Sequence, residues 1–111
     1  MHRVLVLGAG KIGALISGLL AESGDYHVDL ADVDAAAAAA VVKAHGLPNV
    51  RGFGLDATDR AALEAHLEAH PADAVISGLP YFCNVPVAEA CRAHGLHYFD
   101  PPLVAAERAR H

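Results

Sequence analysis

The chain has 111 residues, of which 54% are hydrophobic, and a formal net charge of −5. One domain of that length buries a modest core. Its acidic balance argues against a nucleic-acid or anionic-membrane surface, though not against phosphate, which backbone N–H groups can hold unaided. No stretch approaches the roughly 20 apolar residues of a membrane span, and the apolar run over residues 4–7 is too short for a signal peptide. The two cysteines, Cys83 and Cys91, have neither CxxC nor zinc spacing. The expectation is a soluble cytoplasmic protein with reduced thiols.

Strand and helix signals alternate along the chain. Val4-Leu5-Val6-Leu7 is a continuous apolar run, as in a strand buried on both faces. A glycine-rich turn over residues 8–13 follows. Ile12, Leu15, Ile16, Leu19 and Leu20 then recur at helical spacing, up to the turn cluster Ser23-Gly24-Asp25. Residues 26–31 read as a second strand ending at Asp32. Asp34 is placed to cap a helix of six alanines, residues 35–40, since alanine is the best helix former. That helix ends before Gly46-Leu47-Pro48. Residues 50–55 read as a third strand weakened by Gly52 and Gly54. Thr58 or Asp59 caps a third helix with Leu63 and Leu67 on its apolar face, and Pro71 ends it. Residues 74–77 are a fourth strand. Asn84 is placed to cap a fourth helix carrying Val87, Ala88 and Cys91, which Gly95 closes. His97-Tyr98-Phe99 is a short fifth strand. The alternation predicts an α/β, Rossmann-type doubly wound parallel sheet, in order 3-2-1-4-5, with helices on both faces. The domain spans residues 1–100, and residues 101–111 form a short tail. The ligand crevice belongs where the first and fourth strands part. The outer edge of the fifth strand and part of one sheet face are left poorly covered, which predicts weak self-association.

The strongest motif is Gly8-Ala9-Gly10-Lys11-Ile12-Gly13. It follows a strand and opens a helix, the context in which GxGxxG binds a dinucleotide. Gly8 permits the tight turn, Gly10 lets a pyrophosphate approach the backbone, and Gly13 allows close packing of the helix on the sheet. Lys11 either adds charge there or is solvated. Asp32 lies 19 residues beyond Gly13, at the end of the second strand, where a carboxylate accepts hydrogen bonds from the adenosine ribose. It would repel a 2′-phosphate, and no arginine is near, so the predicted cofactor is NAD rather than NADP. Asp34 is a rival for the ribose, but a cap explains it better. Asp56 ends the third strand near the expected adenine, where turn chemistry explains it equally well. Ser77, Gly78, Leu79 and Pro80 end the fourth strand and should line the crevice. Tyr81, Phe82 and Asn84 stand on the expected nicotinamide side. His66 and His70 share a helix face, as metal ligands often do, but no third ligand is legible and no metal is expected. Cys83 has no evident activating partner, and no catalytic residue can be assigned.

Three stretches resemble saccharopine dehydrogenase-like NAD(P)-dependent oxidoreductases. They are the strand and turn over residues 4–13, Leu55-Asp56-Ala57-Thr58-Asp59, and the run from Asp73 to Asn84, joined by His97-Tyr98-Phe99-Asp100. The resemblance covers about residues 3–100. It implies hydride transfer between NAD(P) and a carbon–nitrogen bond of an amino-acid-like substrate. It carries over Gly8, Gly10, Gly13, Asp32 and the turn from Ser77 to Pro80 as cofactor contacts. Members of that family carry a second α+β domain that holds substrate, which this sequence lacks. Pro101-Pro102-Leu103 replaces the family's usual continuation, so the expectation is a truncated or frameshifted end, or an excised domain, inactive alone. The alternative is a regulatory nucleotide-sensing domain of the kind that gates potassium channels and transporters. It shares the glycine turn, the acid after the second strand and the stretch after the third. Pro80-Tyr81-Phe82 and His97-Tyr98-Phe99-Asp100 favour the enzyme.

Overall fold

Runs of branched residues become strands wherever both of their faces can be covered, and the intervening alanine- and leucine-rich stretches become the helices that cover them. The computed structural model of the chain describes residues 2–79 and 81–99. The elements are β1 (His2–Leu7), α1 (Lys11–Glu22), β2 (Tyr26–Asp32), α2 (Ala35–His45), β3 (Val50–Gly54), α3 (Arg60–Ala69), β4 (Ala74–Ser77), α4 (Tyr81–Ala93) and β5 (His97–Phe99). All strand pairs are parallel, in the order β3-β2-β1-β4-β5. This is the expected Rossmann-like fold. Leu7 is in register with both Ala31 and Ser77, so β1, β2 and β4 end together at one edge. The order reverses between β1 and β4, which opens a crevice beyond their C-terminal ends.

Alternation along β1 divides the core in two. Leu5 and Leu7 join Val75, Leu63, Leu67, Val87 and Cys91 on the face covered by α3 and α4. Val4 and Val6 join Val28, Leu30, Val50 and Ala21 on the face covered by α1 and α2. Burial pushes the Cys91 thiol up to about 11, so it is an inert core group.

The alanine helix and the glycines of β3 are one feature. A Cβ on Gly52 would lie 3.3 Å from the Ala38 carbonyl, and one on Gly54 would lie 2.9 Å from Ala35 Cβ. Gly52 and Gly54 therefore let α2 settle on β3 with only alanine between the backbones, which offsets their low strand propensity. Ser17, fully buried on α1, meets His45 Nε2 at 3.1 Å and donates to the Ala14 carbonyl. The His45 ring lies over Gly18, so α1 and α2 are locked at this point.

Two expectations need correction. α4 begins at Tyr81, so Asn84 lies inside its first turn rather than capping it. Asparagine is a favoured N-cap residue, and that suggested the later start. The helix also carries Pro86 within it. β3 stops at Gly54, one residue earlier than expected, where Leu55 N turns to donate to the Asp32 carbonyl. Asp59, not Thr58, caps α3, accepting from Ala62 N at 3.3 Å. Gly95 closes α4 as expected, at φ +70° with Leu96 N donating to the Cys91 carbonyl. The tail over 101–111 lies outside the described residues.

Candidate functional site

The glycine turn sits where β1 feeds α1. Gly8 has φ +95°, a left-handed conformation that disfavours a side chain, and its N–H donates to the Ala31 carbonyl at 2.7 Å. Gly10 is the N-cap of α1, and nothing lies within 4 Å of where its Cβ would be. The turn is therefore open to solvent on that side. α2 and α3 have aspartate caps, whereas α1 has no side-chain cap and no acidic residue in its first turn. The N–H groups and positive end of its dipole are available to an anion. Gly13 does a different job from the one its spacing suggested. A Cβ there would lie 1.7 Å from the Gly8 carbonyl oxygen and 3.8 Å from Val6, so the space it saves is against the turn itself, before the sheet. Ala9 and Ile12 are half-buried, and Lys11 is exposed at the first helical position.

Asp32 ends β2 against this turn. Its Oδ2 accepts from Ala9 N at 2.8 Å and its Oδ1 from Asp34 N at 2.9 Å. The carboxylate is thus fixed beside the glycine loop before any ligand arrives. Asp34 caps α2 through Ala36 N and Ala37 N, as expected. Among the described residues no basic side chain forms an ion pair with Asp32.

Beyond the ends of β1, β2 and β3 is a concavity of about 180 Å³, lined by Leu7, Ala31, Val33, Leu55, Ala57 and Leu79, with Asp56 and Thr58 at the polar side. Asp56 Oδ1 accepts from Thr58 N at 3.0 Å and Thr58 Oγ1 at 2.5 Å. The hydroxyl bond holds its carboxyl below the usual carboxylate range. Turn chemistry therefore occupies one oxygen of Asp56. Sequence reasoning missed Val33, which is 76% exposed. Its signal was an apolar residue between two aspartates at a strand end.

Ser77 is fully buried and its Oγ accepts from Leu79 N, so it braces the end of β4. Gly78 donates to the Leu7 carbonyl, and a Cβ on it would lie 3.6 Å from Gly13 N, so it packs under the glycine turn. Of the described residues of this stretch, Leu79 lines the concavity. Pro80 lies outside the described residues.

His66 and His70 do stack, with ring centroids 5.0 Å apart, and both pack on Phe53 at 4.8 Å. His66 Nε2 is buried without a hydrogen bond, 3.9 Å from Asp29, which Arg51 already holds. Burial lowers the His66 pKa. No group of three His, Cys, Asp or Glu residues able to hold a metal occurs among the described residues. A second hollow, of about 230 Å³ between Arg3, His27 and Arg51, lies at the opposite end of the strands from the glycine turn.

Residues 4–111 match the saccharopine dehydrogenase NADP binding domain family. The chain belongs to that family. It is 30% identical, over 98% of its length, to saccharopine dehydrogenase [NADP(+), L-glutamate-forming] of Schizosaccharomyces pombe. It spans about a quarter of that relative, 24%. The saccharopine dehydrogenase (L-Glu forming) structure from Saccharomyces cerevisiae superimposes on 96% of the chain with a TM-score of 0.78 and 27% identity, again over 24% of that protein. The NAD-bound UDP-glucose-4-epimerase from Stenotrophomonas maltophila shares the fold alone, with a TM-score of 0.71 and 20% identity over 89% of this chain and 36% of its own. The saccharopine dehydrogenase-type chain is thus an NAD(P)-binding domain. No described helix is long and apolar enough to cross a membrane.

Proposed function

We propose that this domain binds NAD(H) in preference to NADP(H), by its ADP-ribose half, and serves an oxidoreductase acting on a carbon–nitrogen bond of an amino-acid-like substrate. The observation that carries the reading is the 2.8 Å bond from Ala9 N to Asp32 Oδ2. It supports the reading because it holds one carboxylate beside the glycine turn, within reach of the ribose hydroxyls of a dinucleotide whose pyrophosphate lies on that turn. In this reading Gly8, Ala9, Gly10, Lys11, Ile12 and Gly13 form the pyrophosphate cradle, with backbone N–H groups as donors. Asp32 accepts from the ribose hydroxyls. Adenine lies on Leu79, Leu55 and Val33, with Asp56 at its polar edge. Ser77 and Gly78 support the cradle from beneath, and Pro80 continues that wall.

The bound nucleotide supplies hydride transfer; this chain's residues bind and orient it. The preference for NAD(H) follows from charge. Asp32 and Asp34 stand together at the end of β2, and neither forms an ion pair with a basic side chain among the described residues. A 2′-phosphate there would meet repulsion without an arginine partner. The names of the family and of its yeast relative specify NADP, so this preference separates the chain from them. Calorimetric titration with NADH and NADPH tests the reading. We expect saturable binding at least tenfold tighter for NADH, weakened by about 1–2 kcal/mol in Asp32→Ala, the scale of a lost charge-assisted hydrogen bond. A preference for NADPH would keep the cradle and overturn the role of Asp32. Failure of both nucleotides to bind would overturn the site.

A further inference from the structure

The hollow of about 230 Å³ at the far end of the strands is walled by Arg3, His27 and Arg51, with Val28, Pro48 and Asn49. Alternation sets the three basic residues on the face of the sheet that carries α3 and α4, because Leu5 and Phe53 join that core and Val28 and Val50 the other. Two of the eight Lys and Arg residues of a chain with net charge −5 therefore meet at one place. Arg51 is held in a fixed pose. Its Nε and Nη2 donate to Asp29 Oδ1 at 3.2 and 3.1 Å, and its guanidinium carbon lies 5.4 Å from the centre of the Phe53 ring. Its Nη1 keeps no hydrogen-bond partner among the described residues. Arg3 and His27 are in direct register on β1 and β2. Neither side chain forms an ion pair or a hydrogen bond among the described residues. Asp73 takes the Arg3 backbone N–H, and Asp29 is engaged by Arg51, so no carboxylate neutralises this pair. Basic groups facing one another on neighbouring strands gain from a counter-charge between them.

We propose that this hollow is an anion site, separate from the glycine turn, that takes a tetrahedral oxyanion: phosphate, free or as the phosphoryl end of a small ester. Its donors converge from three strands, which suits an anion with more than two oxygens, whereas one arginine fork already satisfies a carboxylate. Arg51 is the preorganised donor, because Asp29 and Phe53 fix its side chain before any anion arrives. The net negative charge of the chain repels polyanions, which restricts the occupant to a small one. Arg3, His27, Pro48 and Arg51 are exposed, so the hollow opens to solvent and an ester group can extend outward.

Residue-resolved NMR on the full chain tests this, with phosphate replacing chloride at constant ionic strength and neutral pH. The expected result is saturable shifts at the amides of residues 3, 27 and 49–51 and at Nε–H of Arg3 and Arg51, distinct from any shifts at residues 8–13. Arg3→Gln should weaken that response about tenfold, the scale of one lost charge-assisted hydrogen bond. Arg60→Gln on α3 should leave it unchanged. The amide spectrum establishes that each variant is folded. Should Arg3→Gln unfold, Arg51→Lys, which keeps the charge and loses the fork, decides in its place and should weaken binding likewise. Methyl phosphate separates the two sources. Tighter binding of the ester assigns the phosphoryl group of a larger molecule, tighter binding of phosphate assigns the free ion, and either supports the site. Shifts that do not saturate, that acetate reproduces at equal concentration, or that persist undiminished in the folded variant overturn it.

Discussion

Gly13 and Gly10 differ in what a single methyl would meet, and that difference separates folding from binding. At Gly13 the methyl would overlap the Gly8 carbonyl, so the turn or the helix must move. Gly13→Ala should cost about 1–3 kcal/mol by urea denaturation, the range for overpacking, and weaken NADH along with it. At Gly10 the methyl enters open space at an ordinary φ of −73°. Gly10→Ala should leave stability within about 0.5 kcal/mol, as at an unconstrained surface site, yet weaken NADH in calorimetry. Equal losses in both assays would contradict the assignment of Gly10 to the ligand. His66 gives a pH signature. Its side chain is 8% exposed, and burial lowers its pKa below 6.5; His70 and Arg51 act in the same direction, while Asp29 opposes them. The unfolded chain therefore binds the proton more readily. This contribution to stability is complete above pH of about 6.5, the ordinary histidine value, and is lost as pH falls toward the lower folded value. The urea midpoint should drop over that window, and His66→Phe should flatten the drop. A wild-type midpoint independent of pH between 7 and 5 would remove His66 from this role.

At the scale of elements, the contact of α2 with β3 is set by the absence of side chains. The alanine run made the helix legible in the sequence. The two glycines of β3 looked like weaknesses there, because nothing local says that Ala35 and Ala38 will lie against them. Gly54→Val should destabilise the domain by about 1–3 kcal/mol, with the loss visible as a lowered thermal midpoint. Asp34 tests the opposite case, a feature legible from one residue. Its side chain accepts from Ala36 N and Ala37 N, and Asp34→Ala should cost about 1 kcal/mol, the typical worth of a helix N-cap. The start of α4 was misplaced for an equally physical reason. Asn84 is of a type that caps helices, and that local preference put the boundary there, whereas the helix begins at Tyr81 and carries Pro86 within it.

For the whole molecule, the parallel order β3-β2-β1-β4-β5 brings four separated stretches of sequence to one edge: the glycine turn, Asp32, the segment around Asp56, and Leu79. A nucleotide bound there bridges several elements and stabilises the fold by mass action. At one hundred times its dissociation constant NADH should add about 2.7 kcal/mol, which for a domain of this size raises the thermal midpoint by roughly 10 °C or more. NADPH at the same concentration should raise it less. Equal shifts for the two would contradict the charge argument at Asp32.

The sequence by itself determined the alternation of elements, the strand order, the glycine turn and the acid after β2, because each depends on local spacing and on the handedness of parallel crossovers. It also carried the family resemblance, through residues 4–13 and 73–84. Only the tertiary structure decided how those parts meet. It joined Asp32 to Ala9 and set Gly13 against Gly8. It withdrew Ser77 into the core and lined the concavity with Val33. It also left Phe99 uncovered in the wall of a hollow. These outcomes depend on distances between residues far apart in the chain, which follow from the packing of helices on both faces of the sheet and have no local signature.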